Sequence, residues 1–221
     1  MSSGPLPSSF QSAAQPPASD SPVVRSRGVL KIGGATLFTA PWWPARIESF
    51  QHQVDQLFVL VGGGDTVESM RRACELYPTL DPVAMHWRCV QLLDATWEVA
   101  CELLPNATPI SDWNELQFAL ASLHKGLFLV RVGAYYQSGT NPAIPESWLP
   151  RHGWETTTDA LGWLLCKLTG AQRLWLIKQC DCDGIASLQG AAQQGIIDPE
   201  LARLAAQDLG SNMVDVLFVR W

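Results

Sequence analysis

Two lysines, one aspartate and two glycine-rich turns are the residues of this chain whose types and spacing suit chemistry on phosphate. Lys31 stands in a short apolar run, residues 28–32, and Gly33-Gly34 follow at once. Gly62-Gly63-Gly64-Asp65 follows a second apolar run, residues 57–61. Thr157-Thr158-Asp159 opens an apolar-periodic stretch that turns at Gly170, and Lys178 ends a third run, residues 174–177. Phosphoryl transfer needs positioning and neutralisation of charge on the equatorial oxygens, and lysine ammoniums are compact point charges suited to that. Glycine turns let backbone N–H groups approach phosphate oxygens with no side chain in the way. A helix beginning after Gly64 adds a favourable dipole for an anion.

The elements that must position these groups follow from hydrophobic period. Strands are predicted at 28–32, 57–61, 127–132, 174–177 and 214–219, and the continuous apolar character of 57–61 predicts burial on both faces, as in parallel sheets. Helices are predicted at 45–54, from the glycine turn through Val67, Met70 and Cys74, at 81–104, at 113–123, from Asp159 to Gly170, and at 199–208. Asp81-Pro82 supplies a cap and a first-turn proline for the long helix, and Pro105 stops it. Strands alternating with helices predict an α/β fold, a three-layer αβα sandwich with a mainly parallel central sheet. In such a sheet the carboxyl ends of the strands form the ligand edge, so Lys31, both glycine turns and Lys178 belong together there. Residues 133–153 are rich in Gly, Pro, Ser and Asn and are expected to form an acceptor-binding or lid loop. Residues 1–22, dominated by Ser and Pro, are expected to be a disordered tail, with a single domain over 23–221.

Composition narrows the function classes. The net charge of −6 argues against non-specific nucleic-acid binding, which needs a basic face. No apolar run reaches membrane-spanning length, and the amino terminus lacks the charged start and apolar middle of a secretory signal. Six cysteines fall mostly in apolar helical patterns, and Cys180-Asp181-Cys182 has no second cysteine or histidine cluster beside it. Reduced structural thiols in a cytoplasmic protein are therefore expected. His86 reads as a core histidine in preference to a catalytic one. Trp42-Trp43 could stack on a flat ligand, but core or lid packing is preferred. There is no GxxxxGK[ST] and no GxGxxG, so neither a P-loop nor a Rossmann dinucleotide fingerprint is present. The long 81–104 helix could pack against a copy of itself, and a homo-oligomer is expected.

At these residues the chain resembles the amino acid kinase superfamily. Lys31-Ile32-Gly33-Gly34 is similar to that family's first KxGG loop, and Gly62-Gly63-Gly64 to its acceptor-binding turn. Thr157-Thr158-Asp159 is similar to its T-[SA]-D motif. Lys178 through Gly184 (KQCDCDG) follows the spacing of the nucleotide loop in uridylate-kinase-like members. The resemblance implies ATP and Mg²⁺ as cofactors and a small phosphorylated molecule as partner. It makes Lys31 and Lys178 the stabilisers of the transferring group, with Asp159 orienting them. Gly33, Gly34, Thr158, Asp181, Asp183 and Gly184 would hold the nucleotide; Gly62, Gly63, Gly64, Asp65 and Thr157 would face the acceptor. The run DPVAMHWRCVQLLD and the Pro150, Trp154, Thr156, Asp159 spacing look most like the small aminomethylfuran-phosphate kinases. Two departures stand out: Asp65 replaces the proline usual in acetylglutamate kinases, and the Tyr-x-x-Asp-Pro run after DG(V/I) is absent. A carboxylate acceptor, or a non-catalytic nucleotide- or oxyanion-binding member of the fold, are the alternatives.

Overall fold

The computed structural model describes residues 25–122, 124–138, 144–208, 210 and 213–220. The expected tail over 1–22 lies outside them. In chain order the elements are β1 (Arg27–Ile32), α1 (Gly34–Thr39), α2 (Trp43–Gln51), β2 (Gln56–Val61), α3 (Gly64–Leu76) and α4 (Pro82–Leu103). They continue as β3 (Thr108–Ile110), α5 (Trp113–Ala121), β4 (Gly126–Val130), α6 (Thr158–Thr169), β5 (Arg173–Lys178), α7 (Leu188–Gln193), α8 (Pro199–Gln207) and β6 (Asp215–Arg220). The strands form a sheet in the order β3-β4-β2-β1-β5-β6, and every pair is parallel.

Burial on both faces explains the continuous apolar runs. Along β1 and β2, Val29, Phe58 and Leu60 face one core, shared with Leu161, Leu164 and Leu165 of α6 and Leu201 of α8. The alternate residues Leu30, Ile32, Val59 and Val61 face the other, with Trp43, Ile47 and Phe50 of α2. The result is a three-layer αβα sandwich with an all-parallel sheet.

Side-chain alternation along a strand then decides where the charged groups go. Lys31 lies between Leu30 and Ile32 and so projects toward α6. Lys31 pairs in register with Leu176, a residue of the α6-side core. Lys178, two residues further on, projects the same way. Gly162 lets the helix settle on them, since a Cβ there would lie 3.1 Å from Leu174 and 3.7 Å from the Lys31 Cβ. Gly170 closes α6 in the left-handed region at φ 70°, where glycine carries no Cβ penalty.

Three elements go beyond the expectations, and two expected ones change in form. Gly34 starts the short α1 instead of a loop, β3 is a three-residue strand, and α7 follows a Ser187 cap. The strand expected at 127–132 ends at Val130, and a 3-10 turn spans Val132–Ala134. The expected 133–153 loop carries a second such turn, Glu146–Trp148, and its Tyr135 and Tyr136 are buried.

Candidate active site

The start of α6 brings the two lysines together. Asp159 sits in its first turn, and its Oδ1 lies 2.8 Å from the Lys31 ammonium. Its Oδ2 accepts a hydrogen bond from the Lys178 ammonium at 2.7 Å. Lys31 is 8% exposed and Asp159 3%, so water does little to screen the three charges. Burial alone would raise the Asp159 carboxyl, but the Lys31 and Lys178 ammoniums outweigh it and hold the group below the ordinary carboxylate range. Burial, with the neighbouring Lys31 charge, lowers Lys178; Asp159 and Asp198 partly offset this. A pair of buried cations sharing one carboxylate is under-compensated, which is the electrostatic condition for attracting a polyanion.

The turn before Asp159 is anchored from a distant part of the chain. Asp198 is buried, and its Oδ2 accepts from the Thr157 N–H at 2.9 Å, the Thr157 hydroxyl at 2.7 Å and the Ala160 N–H at 3.0 Å. Its Oδ1 accepts from the Leu201 N–H at 2.6 Å and caps α8. Burial and the adjacent Asp159 charge push the Asp198 carboxyl up to about 6. Sequence reasoning missed this residue, although Asp198-Pro199 repeats the cap-plus-proline pattern recognised at Asp81-Pro82. The Thr157 hydroxyl also accepts from the Asp159 N–H at 3.3 Å, so it is engaged in the turn. Thr158 lines the neighbouring cleft, and a Cβ on Gly62 would come within 2.9 Å of its hydroxyl.

The two glycine turns pack on each other. A Cβ on Gly34 would lie 2.0 Å from the Gly64 nitrogen and 2.4 Å from the Gly62 oxygen. Gly64 itself has φ 54°, a conformation that glycine adopts without strain. The glycines expected to approach phosphate thus serve first to let backbone approach backbone. Gly33 is open, with only the Thr36 hydroxyl, 3.7 Å away, near its Cβ direction. Helices α4 to α8 each begin with a side-chain cap. The helices opened by the glycine turns, α1 and α3, have none, and neither has α2, which starts with a proline in its first turn. Their first N–H groups therefore lack side-chain acceptors.

A cleft of about 290 Å³ runs from Lys31, Gly33, Gly34 and the Gly62, Gly63 and Gly64 turn to a far end with Arg71, His86 and Trp154. The Arg71 guanidinium lies over the Trp154 ring at 5.1 Å and meets Glu68 at 3.2 Å. His86 closes the wall: Nδ1 is 3.3 Å from the Gly153 carbonyl and Nε2 2.9 Å from the Tyr136 hydroxyl. A carbonyl can only accept, so Nδ1 carries the proton and Tyr136 donates to Nε2. Burial lowers the His86 imidazole, which keeps it neutral. This agrees with a structural histidine that also borders the cleft.

Other expected site residues lie elsewhere. Asp65 is exposed in the first turn of α3 and does not line the cleft. Asp181, Asp183 and Gly184 are exposed on the segment after β5, where the Asp181 Oδ1 accepts from the Asp183 N–H at 3.0 Å. Arg220 approaches Asp181 at 3.8 Å. Gln179 ties the end of β5 to α1 through the Thr36 and Thr39 hydroxyls, at 3.4 and 3.3 Å. Trp43 is core, as packing required, whereas Trp42 is 43% exposed with the Arg46 guanidinium 5.1 Å from its ring. Among the described residues, no group of three or more His, Cys, Asp or Glu side chains could hold a metal ion. Among them too, no helix is long and apolar enough to cross a membrane.

No protein-family model matches the chain, and no curated protein does. Among solved structures, uridylate kinase from Archaeoglobus fulgidus is similar, with a TM-score of 0.54 and 16% identity over 89% of this chain and 91% of that one. That likeness shows a shared fold, which in the described residues of this chain is a six-stranded all-parallel sheet flanked by helices.

Proposed function

We propose that this protein is an ATP-dependent small-molecule kinase that transfers the γ-phosphoryl group to a phosphate-bearing acceptor. The observation that carries the reading is the pair of ammoniums, from β1 and β5, meeting one buried carboxylate, with Lys31 also lining a cleft bordered by two glycine turns and Asp159 and Lys178 behind it. Lys31 and Lys178 stabilise charge on the transferring group, and Asp159 holds both amines on the same side of the sheet. Gly33 and Gly34 lie beside Lys31 and offer backbone N–H groups to the phosphates of ATP. The acceptor occupies the cleft, its reacting oxygen toward Lys31 and Thr158.

The donor set fits a triphosphate, being ammonium and N–H groups without a carboxylate cluster. Mg²⁺ suits the same site as an ion carried by phosphate oxygens and water, where it would neutralise phosphate charge. The absence of the Tyr-x-x-Asp-Pro run and the exposure of Asp181, Asp183 and Gly184 favour a second reading, a non-catalytic nucleotide- or oxyanion-binding member of the fold. For the acceptor, the sequence resemblance supports an aminomethylfuran-methyl phosphate, used in making methanofuran-type one-carbon cofactors.

The test is a screen of phosphorylated and carboxylated acceptors with ATP and Mg²⁺, reading ADP release. Adding hydroxylamine separates the product classes, since it traps an acyl phosphate and leaves a diphosphate intact. ADP release driven by a phosphorylated acceptor and insensitive to trapping is expected. Trapped hydroxamate would assign a carboxylate acceptor. ATP binding by calorimetry without transfer to any acceptor would assign a non-catalytic binding protein.

A further inference from the structure

Asp159 alone cannot balance the lysine pair, because it brings one negative charge to two positive ones. The next carboxylate is Asp198, 5% exposed, at the start of α8. Its hydrogen bonds fall on residues 157 and 160, either side of Asp159 in the chain. Pinning both flanks of a helical first turn fixes the direction in which Asp159 projects, and that direction is the one that meets Lys31 and Lys178. The groups facing Asp198 are Asp159 on α6 and Lys178 on β5. Lys31 on β1 is joined through Asp159. On α8 itself, Glu200 is paired with Arg203 and accepts from the Arg151 N–H at 2.8 Å.

We propose that ionised Asp198 is a positioning residue for the two-lysine site: it holds the 157–160 turn so that Asp159 spans both ammoniums. All four donors around it point hydrogen toward carboxylate oxygen, an arrangement matched to the ionised form. Burial and Asp159 nonetheless raise this carboxyl to about 6. It therefore gains a proton in a range where Asp159, held low by its lysines, remains charged. The catalytic consequence rests on the kinase reading; the positioning does not.

The experiment compares wild type with Asp198→Asn and with Asp198→Ser, the latter keeping a good cap for α8. In the ligand-free protein, carbon-13 NMR of aspartate carboxyls is expected to show a titration near pH 6 that is missing from both variants. Amide exchange at Thr157 and Ala160 is expected to quicken in the variants. Unchanged exchange in both variants, or an Asp198 carboxyl that stays protonated through neutral pH, overturns the proposal whether or not the protein turns over. In turnover, wild type is expected to lose kcat below about pH 6, whereas the variants run flat with pH and about tenfold or more below the wild-type plateau. Variants keeping the wild-type plateau and acid limb likewise overturn it. The expected NMR and exchange behaviour without transfer to any acceptor would leave the positioning in place and remove the kinase reading.

Discussion

Replacing Asp159 by asparagine keeps the side-chain shape and removes the charge that two ammoniums share. In the native protein one carboxylate oxygen lies 2.8 Å from Lys31 and the other 2.7 Å from Lys178. Asparagine offers one oxygen and one NH₂ group, so one ammonium must face a donor. Asp159 is 3% exposed, leaving little room for water to take over. Removing one member of a buried ion pair costs about 3–5 kcal/mol. Lys178, already lowered by burial and by Lys31, can shed its proton, and that relief places the expected loss near 3 kcal/mol. With typical stabilities of about 5–15 kcal/mol, the variant stays folded. On the proposed kinase reading, one ammonium fewer at the transferring group should lower kcat by about 10²–10³. Urea unfolding followed by tryptophan fluorescence and ADP release at neutral pH are the assays. The pH sign is also defined. A carboxyl held low in the native state contributes stability that is present above its unfolded value, about 3.9, and lost as pH falls through the lower native value. The gap between wild type and variant should therefore narrow only in strong acid. A loss below about 1 kcal/mol with near-normal turnover would refute the idea that the lysines depend on Asp159.

Further outcomes follow from the same geometry. Gly34→Ala should cost about 3 kcal/mol, because its Cβ meets backbone of the facing turn at 2.0 Å, whereas Gly33→Ala should leave the melting temperature near wild type; equal effects would contradict the packing of turn on turn. His86, lowered by burial, takes up its proton at lower pH in the native state than in the unfolded chain. Stability should fall as pH drops below about 6.5, and His86→Gln should flatten that slope in urea titrations; an unchanged slope would refute it. Native thiol labelling read by mass spectrometry should modify exposed Cys180 first and spare Cys166, which is buried and pushed well up by burial; early labelling of Cys166 would contradict the core assignment.

The lysine pair was legible because strand alternation carries that information. Lys31 falls at the right parity in its apolar run and Lys178 at the end of another, and both stand at carboxyl ends of strands. What stayed hidden depends on contacts between distant segments. Asp198 lies 39 positions after Asp159 by residue number, and nothing local in its sequence says that its carboxylate reaches under another helix. The mutual contact of Gly34 and Gly64 is likewise non-local, so a glycine turn reads the same whether it faces a phosphate or another backbone. The short β3, with Pro109 tolerable as part of an edge strand, and the six-residue α1 are too brief to show a period. Spacing placed Asp181, Asp183 and Gly184 after the second lysine, but it carries no information on burial. These residues stand exposed.

The most direct measurement is single-turnover transfer of the labelled γ-phosphoryl group to the acceptor found by the screen, with Lys31→Met, Lys178→Met and the double variant. Because the two amines act as one unit, each single variant should lose about 10²–10³ in rate, and the double variant little more. Transfer at near wild-type rates in both single variants would contradict the two-lysine account.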